Sequence, residues 1–272
     1  MPGSATLGAV PPAKKRLRSY DHERTRAALL AQFEHAREAV RALPPDRFAL
    51  PTGLGTWTVR ELAAHLTMAV EAVNRGLEAP VPQEPAVPLL DWPFSTSSRA
   101  STIADNVEAL AAAREPDELF TVVGDRAAEL IPQAPGDRVI ATTAGPMALT
   151  DYLVTRTVEL VVHTDDLNRA AGLSVPFDPQ ALATATRLLA DALAVRAPGA
   201  STEVRIPPYA VVQCVEGPRH TRGTPPNVVE TEPLVWLRLA TGRSAWHEAL
   251  AEGQVSASGE RADLSELLPL MS

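Results

Sequence analysis

Tyr152, Arg156, Glu159, His163 and Asp166 recur at intervals of three or four along the stretch Asp151 to Ala170. At about 100° per residue a helix stacks these five in one narrow stripe, while Leu153, Val158, Leu160, Val161, Val162 and Leu167 cover most of the remaining circumference. The sequence therefore predicts a buried helix carrying a charged stripe. Charges in a protein interior are costly unless each has a counter-charge, a hydrogen-bond partner or a metal. Glu159 and His163, four residues apart, converge on one side of such a helix. Two readings of the pair stay open on spacing alone: an internal ion pair in a helical bundle, or two ligands of a divalent cation. A third ligand from another element decides between them.

His65 is the candidate for that third place. Trp57-Thr58-Val59-Arg60-Glu61-Leu62 reads as a helix start. Thr58 is the N-cap, Glu61 reaches back to it, and Trp57 stands where an apolar side chain staples onto Leu62, together worth about 1 to 2 kcal/mol. Downstream, Leu62, His65, Leu66, Ala69 and Val73 form the inward face. A histidine within an apolar stripe needs partners for its ring nitrogens, and either a backbone carbonyl or a metal supplies one. A four-helix bundle lets the two helices be neighbours, and His65, Glu159 and His163 then make a set suited to zinc, with a fourth position for water or substrate. Asp166, one turn beyond His163, is placed to orient an imidazole. Arg156, one turn before Glu159, is placed to pair with it or to face an anionic substrate.

The elements that must position these residues follow from periodicity and breakers. A first long helix is predicted from Tyr20 to Leu43, where Pro44-Pro45 stops it. Ala79 to Ser98, with Pro80, Pro82, Pro85, Pro88 and Pro93, reads as a crossover or lid. Helical spacing resumes from Ser101 to Leu130 with a new start at Pro116, and Ile131 to Gly145 is a connection. Asp178-Pro179 opens another helix, ended by Pro198-Gly199. Strands are then expected at Glu203 to Ile206, Ala210 to Val215, Asn227 to Glu230 and Gln254 to Ser258, with short helices at Pro233 to Ala240 and Ser244 to Ala251. The expected organisation is a flexible tail over 1–18, a metal-binding helical bundle over 19–199 and a small α/β domain over 200–272, an α+β two-domain fold.

Composition narrows the function. Hydrophobic residues make up 45% of the 272 but aromatics only 4%, so the core is built from Ala, Leu and Val, which favours packed helices. The formal charge of -8 argues against nucleic acid or an anionic membrane as partner. No apolar run reaches the ~18 residues of a bilayer span and no secretory signal is present, so a cytoplasmic protein without a membrane span is expected. Cys214 stands alone, which rules out an internal disulfide, and it has no obvious activating neighbour. Arg219, His220 and Arg222, on a loop rich in Pro and Gly, are suited to holding a carboxylate.

The two motifs Thr56-Trp57-Thr58-Val59-Arg60-Glu61-Leu62-Ala63-Ala64-His65-Leu66 and Glu159-x-x-x-His163-Thr164-x-Asp166-Leu167 resemble the signatures of the mycothiol-dependent maleylpyruvate isomerase N-terminal domain, a DinB-like helical bundle. The resemblance spans about Tyr20 to Gly172. It implies a divalent metal, typically zinc, on His65, Glu159 and His163, mycothiol as co-substrate, and an actinobacterial host. In that chemistry a thiolate adds to the double bond of an unsaturated acid, permits rotation and leaves; in transferase relatives it displaces a leaving group. The C-terminal part is similar to the sterol carrier protein fold on Leu234-x-x-Leu237, Gly242-Arg243, Ala249, Gly253-x-Val255-x-Ala257-x-Gly259 and Leu264, which implies lipid or sterol carriage as a competing function. A metal-binding relative without turnover is the third possibility. The partners implied are a small thiol and a small electrophile; oligomeric state is left open.

Overall fold

A computed structural model describes residues 18–96, 100–217 and 226–271. Lys14, Lys15 and Arg16 of the basic tail, and Arg219, His220 and Arg222 of the loop, lie outside the described residues.

The bundle is built from α1 (His22–Ala42), α2 (Val59–Glu78), α4 (Pro116–Leu130) and α5 (Leu149–Ala171), with α3 (Ala100–Ala113) against α2. Each start has a local cause. Asp21 accepts from the Arg24 amide at α1. Thr58 and Glu61 form the full capping box at α2. Pro116, whose missing N–H has no partner to lose in a first turn, opens α4. Gly172, in the left-handed region at φ 64°, closes α5. α1 packs on α4 and α5, and α2 packs on the same two helices. The core between them includes Leu29, Phe33, Leu62, Leu66, Val73, Phe120, Leu153 and Leu160.

Two segments read as irregular from sequence are more ordered than expected. The connection 131–145 contains β1 (Val139–Ile140), which pairs antiparallel with β2 (Met147–Ala148). Two-residue strands are too short to show a period of two, so no sequence pattern marks them. The proline-rich crossover is pinned by Trp92, only 1% exposed, with Leu89 and Leu90 packed against the same core.

The second part follows α6 (Pro179–Arg196), capped by Asp178, which accepts from the amides of Gln180 and Ala181. β3 (Thr202–Ile206), β4 (Ala210–Cys214), β5 (Val228–Thr231) and β6 (Val255–Ser258) form a sheet in the order β4-β3-β5-β6, in which only β3 and β5 run parallel. α7 (Pro233–Ala240) and α8 (Trp246–Ala251) complete it. α6 lies against α1 and α5 on one side and β4 and α7 on the other. One apolar cluster therefore runs from Val154, Val158 and Val161 of α5 through Leu188 and Leu189 to Val204, Ile206 and Trp236. The expected boundary at residue 200 falls between α6 and β3, two elements that share this core.

Among the described residues no helix is long and apolar enough to cross a membrane.

Candidate metal centre

Adjacent packing of α2 and α5 brings the three candidate ligands together, one donor atom from each within 4.8 Å of the others. His65 Nε2 and His163 Nε2 are 3.1 Å apart, and Glu159 Oε2 lies 3.3 Å from His163 Nε2 and 3.6 Å from His65 Nε2. Zinc bonds to nitrogen and oxygen are about 2.0 to 2.2 Å, so two tetrahedral ligands of one ion stand about 3.3 to 3.5 Å apart. The triangle fits that requirement on all three sides to within a few tenths of an ångström.

The protons fit as well. His163 Nδ1 is 3.0 Å from Asp166 Oδ2. The carboxylate only accepts, so Nδ1 carries the proton and the Nε2 lone pair faces Glu159 and His65. His65 has no backbone carbonyl at its other nitrogen: Nδ1 is buried and has no hydrogen-bond partner among the described residues. The carbonyl-satisfied core histidine is therefore not what the structure contains.

Burial alone would raise the Glu159 carboxyl, but the His163 and His65 rings, which donate to it when protonated, and the nearby Arg156 guanidinium hold it well below the usual carboxylate range. Burial, together with His163, pushes the His65 imidazole down. For His163 burial disfavours the charged ring, yet Asp166 and Glu159 outweigh it and raise its pKa.

His65, Glu159 and His163 border a cavity of about 360 Å³. Its other walls come from the loop before α2 (Leu54, Thr56, Trp57), from α3 (Ile103, Ala104), from α5 (Val158, Val162) and from the second part of the chain (Thr241, Arg243, Met271). Trp57, placed by its sequence position as a staple, lies with its ring centroid 5.0 Å from that of His65 and forms part of the wall.

The remaining candidates are distributed unevenly. Arg156 packs over the rings of Tyr152 at 4.9 Å and Trp92 at 5.4 Å, with Nη2 3.8 Å from Glu159 Oε1. Of its two expected roles, the geometry gives the pairing with Glu159. Cys214 is buried in β4. His22 and His35 of α1 are half-buried and reach other elements, His22 Nδ1 to Thr150 Oγ1 at 3.0 Å and His35 Nδ1 to the Pro176 carbonyl at 3.1 Å.

Residues that sequence reasoning did not single out as site residues surround Asp166. It is fully buried, and Arg243 donates to it from Nε at 3.1 Å and Nη2 at 2.8 Å, with Arg169 Nη2 on its other oxygen. Hydrogen bonds from His163 and Arg243 more than offset burial and lower its pKa. Its neighbour Asp165 takes Arg238 in a two-pronged pair at 2.7 and 2.8 Å. The signal available was the acidic doublet itself, since two adjacent acids on a buried helix call for two cations; nothing in the spacing said which.

Residues 29–168 match the family model of the mycothiol maleylpyruvate isomerase N-terminal domain. The chain belongs to that family. Membership places it among enzymes of the isomerase and thiol-transferase kind. Residues 178–270 match the model of a bacterial SCP ortholog. The fold is similar to the crystal structure of the mycothiol-dependent maleylpyruvate isomerase, with a TM-score of 0.56 at 16% identity, over 90% of this chain and 95% of that one. A histidine-to-alanine mutant of that isomerase is similar over the same shares, with a TM-score of 0.55 at 15% identity. No curated protein matches in sequence.

Proposed function

We propose that the protein is a divalent-metal-dependent enzyme, with zinc as the cation, that uses mycothiol on a small electrophile in the cytoplasm. The reaction is either an isomerisation like that of maleylpyruvate or transfer of the sulfur to the electrophile. The observation that carries this reading is the meeting of His65 Nε2, His163 Nε2 and Glu159 Oε2 beside a cavity walled by both parts of the chain.

In this reading His65, Glu159 and His163 would hold the cation, whose charge would favour the deprotonated form of a thiol beside it at neutral pH. Asp166 keeps the proton of His163 on Nδ1, so that Nε2 stays a ligand. Arg156 steadies Glu159 Oε1 and leaves Oε2 free. Leu54, Trp57, Ile103, Val158, Val162 and Met271 exclude water, which strengthens every charge interaction beside them. Arg222 and His220 are suited by sequence to an anionic group of the electrophile.

Protein purified without chelator is expected to carry about one equivalent of divalent metal per three-ligand site. It is also expected to consume mycothiol with a panel of unsaturated acids and epoxides. Metal-free protein with no thiol-dependent turnover sinks the proposal. Metal without turnover identifies a binding relative instead. The match of residues 178–270 to an SCP ortholog favours a second reading as a lipid carrier. Lipid co-purifying in stoichiometric amount, identified by mass spectrometry, supports that reading.

A further inference from the structure

The group that fixes His163 is itself held from the far part of the chain. α7 ends in a left-handed glycine turn: Gly242 has φ 72°, its N–H donates to the Leu239 carbonyl, and the Arg243 N–H reaches back to the Arg238 carbonyl at 2.7 Å. Such a turn fixes the backbone on both sides of the glycine. Arg238 and Arg243 are the two residues joined by its shortest hydrogen bond, so one turn presents both side chains. They meet two successive carboxylates of one helix, Arg238 on Asp165 and Arg243 on Asp166. Neighbouring side chains on a helix diverge by about 100°, so the two pairs together resist rotation of α7 about α5 as well as sliding along it. Arg243 Nη1 also donates to the Thr241 carbonyl at 2.9 Å, which ties its guanidinium to the turn's own backbone.

A chain of directed contacts therefore runs from the turn to the metal centre. Thr241 and Gly242 set Arg243, Arg243 holds the Asp166 carboxylate through Nε and Nη2, and Asp166 Oδ2 takes the His163 Nδ1 proton. We propose that Arg243 is a positioning residue of the metal centre, setting the angle of the His163 ring through Asp166, so that the second part of the chain contributes to cation binding without ligating. This rests on the metal reading above. A guanidinium is needed because its rigid plane aims Nε and Nη2 together at Asp166 Oδ2 while Nε also reaches Oδ1 at 3.2 Å, whereas an ammonium supplies a point charge that leaves the carboxylate free to turn. Arg238 on Asp165 is the internal control: it joins the same two elements but bypasses Asp166.

The test uses the full chain, with zinc affinity measured by competition against a chromogenic chelator and ligand geometry by the visible spectrum of the cobalt-substituted protein. Arg243→Met is expected to weaken zinc binding by about 10- to 100-fold, the range for loss of a group that orients a ligand, and to change the cobalt spectrum. Arg243→Lys recovers charge but not the plane, and is expected to fall between Arg243→Met and the parent in affinity. Arg238→Met is expected to lower the melting temperature while zinc affinity stays within about threefold, too small a change for a group in contact with the ligand's partner. Arg243→Met with parental affinity and parental cobalt spectrum overturns the proposal, and shows the pair to be a structural joint only. Should Arg243→Met fail to fold, Arg243→Lys decides in the same way, unchanged affinity overturning. A parent protein that takes up no zinc overturns both this inference and the metal reading; a parent that binds while its variants bind equally overturns this inference alone.

Discussion

Two sets of buried charge lie one turn apart on α5, and they are built on opposite plans. At Asp165 and Asp166 the carboxylates meet arginines whose charge does not depend on pH: Arg238 and Arg243 from the second part of the chain, and Arg169 from the same helix. This set is closed, and it joins the two parts of the chain. At Glu159 the carboxylate oxygen turned toward the cavity meets two imidazole nitrogens, and His163 Nε2 presents a lone pair there because its proton is held on the other side. That set is open, with its donors converging on a point beside a cavity. Burial alone thus does not mark a functional site. What separates a joint from a site is whether fixed charges satisfy each other or leave electron pairs converging on one point.

The comparison breaks most severely at His163. Replacing it with alanine removes one of three ligands and is expected to lower zinc affinity by more than about 10³-fold, because two ligands on a mobile hydrated ion give little advantage over water. Metal content after dialysis reads this directly. Retention of a full equivalent by His163→Ala would mean that the cation, if any, sits elsewhere.

Asp166 belongs to both sets, so its replacement separates their contributions. In Asp166→Ala the arginines lose their fully buried counter-charge, which costs about 3 kcal/mol of stability by the usual penalty for breaking a buried pair. His163 simultaneously loses the acceptor that fixes its tautomer, with an expected loss of about 10- to 100-fold in metal affinity. Thermal denaturation and chelator competition on one variant read the two effects. A variant with lowered stability and parental affinity would move Asp166 wholly into the joint.

Acid is expected to act on the open set before the closed one. Protonated His163 cannot ligate, and Asp166 and Glu159 raise its pKa above the ordinary value against the opposing effect of burial. As pH falls through that raised value the protonated fraction grows, so apparent zinc affinity should begin to decline above about pH 6.5, the unperturbed histidine value, and then fall about tenfold per pH unit. The closed set behaves oppositely. Asp166 has a depressed pKa, so its contribution to stability is present above the unfolded carboxylate value and is lost only as pH falls through the lower folded one. Metal loss should therefore precede loss of the fold on acidification. Affinity that stays flat down to about pH 6, below the unperturbed histidine value, would contradict the raised pKa.

The two sets also differ in how far the sequence announced them. The open set was legible because each half lies within one helix, where spacing is geometry: Glu159 and His163 are four apart, and His65 sits at a set distance from a capping box that the structure reproduces bond for bond. The strand and helix limits of the second part also follow its local pattern, as at Thr202–Ile206 and Pro233–Ala240. The closed set was not legible, although Gly242-Arg243 is visible as a motif. Its pairs, Asp165 with Arg238 and Asp166 with Arg243, join residues more than seventy positions apart, and only the packing of α5 and α7 on α6 brings them together. Trp92 illustrates the same limit: the prolines around it predict a loose crossover, while a buried indole packed over Arg156 makes the segment part of the core.

The smallest effect expected tests whether the start of α2 acts on the site at all. Thr58 caps the helix one face away from the cavity, yet Trp57 beside it stands over His65. Thr58→Ala removes the side-chain acceptor for the Arg60 amide and one partner of Glu61, a loss of about 1 kcal/mol on the usual scale for an N-cap. Its influence on the metal depends on what holds Trp57. The backbone of the preceding loop is tied by Thr52 Oγ1 to the Trp57 carbonyl, and by the Trp57 amide to the Leu54 carbonyl at 3.1 Å. Those bonds do not involve the Thr58 side chain, so the indole should stay in place when the cap is lost. Thr58→Ala is therefore expected to melt a few degrees lower with zinc affinity within about twofold of the parent, since no group touching a ligand changes. A larger loss of affinity would show that fraying of the first turn reaches His65 two turns on, and would make the capping box part of the open set's support.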